Sequence, residues 1–180
     1  LTINSTFDVE DNGNVYINYA ANGASSIWDG TENFRPNSNF IFQDWNSSAA
    51  TEEIFTSSNV TTNTYAGYTA GFGNMIFDFT DDTGNDLDIV QPGVNANLAH
   101  GNLHFLTPPY NGATPRKISV ATTGTITTGI GGNFIVDDLY DNTAIVQIKT
   151  SGTMTFTIKG DMQLDGATTR IFPASASGAT

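Results

Sequence analysis

Gly132-Asn133-Phe134-Ile135-Val136 decides how the chain reads, because the same five-residue form returns along the whole sequence. Gly13-Asn14-Val15-Tyr16-Ile17, Ser38-Asn39-Phe40-Ile41-Phe42, Gly73-Asn74-Met75-Ile76-Phe77, Gly101-Asn102-Leu103-His104-Phe105 and Gly160-Asp161-Met162-Gln163-Leu164 share it. The form is a small residue, an Asn or Asp, then apolar-any-apolar. Its starts, at 13, 38, 73, 101, 132 and 160, are 25, 35, 28, 31 and 28 residues apart. A cassette recurring at such spacing marks a structural repeat. The alternation inside it has the period of a strand with one buried face.

Outside the cassette, further strands keep step with it. Counted from each start, a second apolar alternation falls 14 residues on at Leu87, 17 at Ile118, 14 at Val146, 15 at Trp28 and 16 at Ile54. A third is clearest at Met154, Phe156 and Ile158. Three short strands per unit of about 30 residues is the outline of one coil of a parallel β-helix. The fold expected is therefore all-β: a parallel β-helix (β-solenoid) of about six coils with three short strands per coil. An antiparallel β-sandwich is the alternative, since its strands and turns also recur at short spacing, but it explains neither the recurring Asn nor the in-phase second strand. Stacking at strand spacing makes a column about 25–30 Å tall. It predicts two inward ladders: Val15, Phe40, Met75, Leu103, Phe134 and Met162, then Ile17, Phe42, Phe77, Phe105, Val136 and Leu164. Tyr16, Ile41, Ile76, His104, Ile135 and Gln163 then face outward.

The Asn of the cassette is expected at a sharp corner, where it tolerates a left-handed backbone and its amide bonds the coils above and below. The Gly before it relieves crowding. Residues 43 to 72 blur the pattern and read as an excursion, with one helical turn over Ala49–Phe55.

Composition bounds the partners. The 180 residues suit one domain, read as a single β-solenoid segment over 1–180. Eighteen acidic against six basic residues give a net charge of −12, which argues against nucleic acid and anionic membrane as partners. Charged residues are only 13% of the chain, so Thr, Ser, Asn and Gly must cover much of its surface. That composition suits an extracellular protein. Cysteine is absent, which removes disulfides, thiolate metal sites and a cysteine nucleophile. No apolar run of about 18 residues is present to cross a bilayer as a helix. Leu1-Thr2-Ile3-Asn4 reads as the inside of a strand, and the stop at Ala179-Thr180 follows no capping helix, so a fragment of a much longer chain is expected.

Candidate chemistry is sparse, and neither catalytic, cofactor-binding nor metal-binding residues are assigned. Asp78, Asp81, Asp82, Asn85, Asp86 and Asp88 make an oxygen-rich loop of the kind that holds calcium, although the spacing fits no helix-loop-helix loop. Asp8, Glu10, Asn12 and Gly13 match only the first half of such a loop. Solvated turns account for both. His100 and His104 are four apart, but Gly101-Asn102 between them marks a corner, so they share no helical face for zinc. The second strands are expected to present Asp88, Ser119 and Gln147 outward, without the paired carboxylates of acid-base catalysis. Trp28, Trp45, Tyr65, Tyr68 and Tyr110 are candidate sugar-stacking aromatics. Thr153-Met154-Thr155-Phe156-Thr157 resembles the Thr-x-Thr rows of ice-binding solenoids, and one strand carries it convincingly. Ile41, Ile76 and Ile135 facing out make an apolar stripe that must be covered or used.

Gly73-Asn74-Met75-Ile76-Phe77, Gly132-Asn133-Phe134-Ile135-Val136, Ile27-Trp28-Asp29-Gly30 followed by Phe34-Arg35-Pro36, and Thr150-Ser151-Gly152-Thr153 together resemble the repetitive surface adhesins of gliding and related Bacteroidetes. The likeness covers most of residues 1 to 172. It implies a long secreted chain exported by the type 9 secretion system and displayed on the cell surface. Its partners would be the secretion and attachment machinery together with surfaces or glycans. A non-enzymatic adhesin or stalk segment is the function expected. A polysaccharide-processing β-helix enzyme or a carbohydrate-binding module is the alternative.

Overall fold

The computed structural model describes residues 6–20, 31–46, 51–55, 64–65, 68–69, 72–78, 86–90, 96–107, 110–111, 114–115, 117–121, 125–137, 145–149 and 152–165. Every regular element among them is a strand, and no helix long and apolar enough to cross a membrane occurs among them.

The cassettes form one six-stranded parallel sheet: Asn14–Ala20, Asn39–Asn46, Asn74–Asp78, Leu103–Thr107, Phe134–Val136 and Met162–Leu164, neighbours in that order. The register is the one the cassettes predict. Val15 pairs Phe40, Phe40 pairs Met75, Met75 pairs Leu103, Leu103 pairs Phe134 and Phe134 pairs Met162. A second parallel sheet joins Thr51–Phe55, Asp86–Val90, Lys117–Ala121 and Ile145–Lys149. A third joins Ala96–Ala99, Thr125–Ile130 and Thr153–Ile158. From Asn74 on, the chain visits first, second and third sheet in that order, three times over, before returning to the first. Ahead of the earlier cassettes, Thr6–Val9 pairs Thr31–Phe34 in parallel, and Phe72 bridges to Ala99. Antiparallel pairing among the described residues is confined to two tight hairpins, Thr64–Tyr65 with Tyr68–Thr69 and Tyr110–Asn111 with Thr114–Pro115. Successive cassettes never pair antiparallel, as a sandwich would require.

Two expectations fail within this frame. Thr51–Phe55 is a strand and not the end of a helical turn; its β-branched and aromatic members suit a pleated sheet better than a helix. Its register sets Glu52 beside Leu87, where Ile54 was expected. The two-residue slip brings Ile54 level with Ile89 instead.

The core is a ladder of rings. Phe42 stacks on Phe77 at 5.0 Å and 15°, and Phe77 on Phe105 at 5.0 Å and 9°. That spacing is the interstrand distance itself, so identical rings at identical register positions stack without leaving their rotamers. Phe34, Phe40 and Phe72 close the cluster, Phe40 lying 4.2 Å from Phe72. Ile118, Val120 and Ile89 bring the second sheet into the same core, as Leu98 and Ile130 bring the third.

The corner before each first-sheet strand differs from expectation in an informative way. Among the described residues only Asn12, with φ of 65°, is a non-glycine residue in the left-handed region. The cassette Asn residues are therefore selected for their hydrogen bonds. Asn39 Nδ2 donates to Asn14 Oδ1 (2.8 Å) and Asn74 Nδ2 to Asn39 Oδ1 (3.0 Å). Then the pattern changes. The backbone N–H groups of Asn102, Asn133 and Asp161 donate to Oδ1 of Asn74, Asn102 and Asn133, at 2.9, 2.8 and 2.8 Å. In this second mode the oxygen lies over the glycine of the next cassette. A Cβ on Gly132 would come within 2.5 Å of Asn102 Oδ1, and Gly101 and Gly160 meet Asn74 and Asn133 in the same way. Gly101, Gly132 and Gly160 thus recur beside Asn because each vacates the space that the preceding cassette's amide oxygen fills. Ser38 fits in the glycine position where the first mode operates, and its Oγ donates to Arg35 O at 2.7 Å.

Candidate functional site

Two surfaces of the described structure gather polar or charged groups on a defined geometry. The first is the outer face of the six-stranded sheet. Register sets Tyr16, Ile41, Ile76, His104, Ile135 and Gln163 in one row. Tyr16 is 58% exposed, while Ile41, Ile76, His104 and Ile135 are half-buried. The row is thus a partly shielded apolar stripe with a histidine in it. His104 Nε2 lies 2.8 Å from Asp137 Oδ2. Asp137 stands two residues beyond Ile135 on the next strand, diagonal to His104 on the same face. Sequence reading missed Asp137, although extending the cassette by one position reaches it, two residues past the outward Ile135. The pair links two neighbouring strands of the sheet. As a partly exposed contact it contributes little to stability.

The second surface lies on the outer side of the three-stranded sheet, where the chain turns into the cassette. Asn97, Gly129 and Thr157 are register partners across its three strands. The central position has no side chain, so the row is notched. One turn further, His100 and Lys159 flank Gly131 in the same way. The two notches join into a polar groove of about 480 Å³, with Thr127 at its far end. The glycines make its floor; Asn97 and His100 stand on one side, Thr157 and Lys159 on the other. Burial pushes the His100 pKa below its ordinary value of 6.5. His100 therefore presents a neutral imidazole at pH 7. Its own backbone N–H is fixed on Phe72 O at 2.7 Å. His100 and His104 serve different surfaces.

The threonine row is wider than the sequence suggested. Thr125-Ile126-Thr127 is register-matched to Thr153-Met154-Thr155, so two neighbouring strands carry it. Sequence reading missed the match because Thr128 interrupts the alternation, and Thr128 is itself buried. Of the residues expected outward on the second sheet, Ser119 and Gln147 are covered: they are 2% and 6% exposed, and Gln147 Nε2 donates to Ser119 Oγ at 2.7 Å. Asp88 pairs Ser119 in register.

The calcium candidates separate. Glu10 is held by Arg35, whose Nη2 donates to Oε1 at 2.9 Å and whose Nε lies 2.8 Å from Oε2. Asp11 Oδ1 accepts from the Asn37 N–H at 3.1 Å. These contacts tie one corner to the next. Asp81, Asp82 and Asn85 lie outside the described residues, as does Trp28, and so do the side chains of Trp45, Tyr65, Tyr68 and Tyr110. No group of three or more His, Asp or Glu side chains close enough to share a metal ion occurs among the described residues.

Comparison with known proteins identifies no relative: no family model, no curated protein and no solved structure matches the chain.

Proposed function

We propose that the chain is a β-solenoid segment of an extracellular bacterial adhesin or surface stalk, acting without catalysis through reach and surface contact. The observation that carries this reading is the cyclic return of the chain to three parallel sheets with cassettes in register. Each full cycle then corresponds to one coil. An architecture of this kind extends by adding coils, because each coil contacts only its neighbours. A partly shielded row of Ile41, Ile76 and Ile135 beside polar surface is consistent with a contact face. The resemblance to Bacteroidetes surface proteins supports display by the type 9 system, with secretion and attachment machinery as partners.

The reading is tested by coupling the purified chain to beads and measuring retention under flow on glycan-coated and bare glass. Retention above albumin-coated beads is expected. Equal retention would overturn the adhesive role. Incubation with a panel of polysaccharides tests the enzymatic alternative: new reducing ends or unsaturated termini above a heat-treated control would replace the adhesin reading with a processing enzyme.

A further inference from the structure

We propose that the groove between Asn97 and Thr157 is a binding site for a carboxylated sugar, one uronic acid residue within a glycan. The proposal rests on the adhesive reading above and names the ligand class that one of its surfaces takes.

Shape comes first. The Asn97–Gly129–Thr157 row carries no side chain at its centre, where Gly129 is itself buried beneath its neighbours. A Cβ there would also come within 2.8 Å of the Thr157 carbonyl oxygen, so the position is closed to larger residues from below. The groove's 480 Å³ lies within the range of small-ligand sites and accommodates a sugar ring or two. Chemistry narrows the class. The amide of Asn97 and the hydroxyls of Thr127 and Thr157 donate and accept, as neighbouring sugar hydroxyls require. All three residues are exposed. The neutral imidazole of His100 adds another donor-acceptor group. Lys159, also exposed, supplies one ammonium on the rim. One cation matches one carboxylate. A polyphosphate or nucleic acid would bring several charges to a chain of net charge −12, which opposes it. The apolar side chains of Ala99 and Ile130 lie beneath the glycines at 2% and 3% exposure and present little surface to a lipid tail.

The test is calorimetric or NMR titration of the full chain with a disaccharide of one glucuronic acid and one neutral hexose, and with its methyl ester. Saturable binding of the acid is expected, weakened about five-fold or more by Lys159→Gln, because a charge-assisted hydrogen bond is lost. The ester should bind weakly and be insensitive to that change. Thr157→Val, nearly isosteric on an exposed position, should weaken both. Absence of saturable binding, equal binding of acid and ester, or an unaltered Lys159→Gln protein would each overturn the site. The bead assay separates the two readings. Beads that adhere while groove variants behave as wild type overturn the groove alone. Binding of the acidic disaccharide without bead retention overturns the adhesive role alone.

Discussion

At the residue scale, the cassette Asn does two different jobs at equivalent positions, and substitution separates them. Asn102 gives only its oxygen to the next unit, whereas Asn39 gives its amide N–H to Asn14 and its oxygen to Asn74. Asn102→Asp keeps the acceptor and should cost under about 1 kcal/mol; Asn102→Ala strands the Asn133 N–H and should cost about 1–3 kcal/mol. Asn39→Asp puts a carboxylate against Asn14 Oδ1 and should be the more damaging Asp variant. Urea midpoints of the variants check the order, and equal losses for the two Asp variants would contradict it. The chain carries Asp161 at the equivalent position, where only the backbone N–H is used. His100 supplies a second test. Its lowered pKa means the folded protein holds it neutral, while the unfolded chain begins to bind a proton near pH 6.5. Stability from this group is full above pH 6.5 and is lost as pH falls from there through the folded pKa. The melting temperature should therefore drop between pH 7 and 5 by more in wild type than in His100→Asn.

At the element scale, the strand ladders were legible because inward positions alternate strictly and repeat, so Phe42, Phe77 and Phe105 could be aligned before any pairing was known. What could not be read followed from local exceptions. Ile54 is displaced by a two-residue register slip, and the Leu98 bulge between Asn97 and Ala99 hides the third strand of that unit. The groove was invisible for a related reason: Gly129 and Gly131 lie close together, but the residues flanking them come from neighbouring strands distant in sequence. Asp137 escaped because its partner sits one unit back, 33 residues away. Replacing Phe77, fully buried between two stacked rings, by Ala should cost about 3–5 kcal/mol. Tyr16→Ser on the exposed face should change stability by less than about 0.5 kcal/mol. Thermal or chemical unfolding of both measures the contrast, and a Phe77→Ala protein as stable as wild type would refute the ring ladder.

At the scale of the whole molecule, repetition makes a deletion prediction possible. Removing residues 101–131 takes out one full unit and joins Gly73's unit to the cassette at Gly132, where Gly-Asn meets Gly-Asn again. The shortened chain should keep a β-type circular dichroism spectrum and a cooperative melt. Removing 101–115 alone puts strands out of phase and should abolish cooperative melting. If both deletions behave alike, neighbour-only stacking is wrong. The Asn ladder also has a direction. In every one of its five links the later unit donates and the earlier accepts. The ladder is therefore vectorial, like a row of arrows, with acceptors facing forward and donors facing back. Two such ladders meeting at like ends would oppose donor to donor or acceptor to acceptor. Only head-to-tail succession continues the sequence of bonds, so growth or assembly along this axis has one permitted sense.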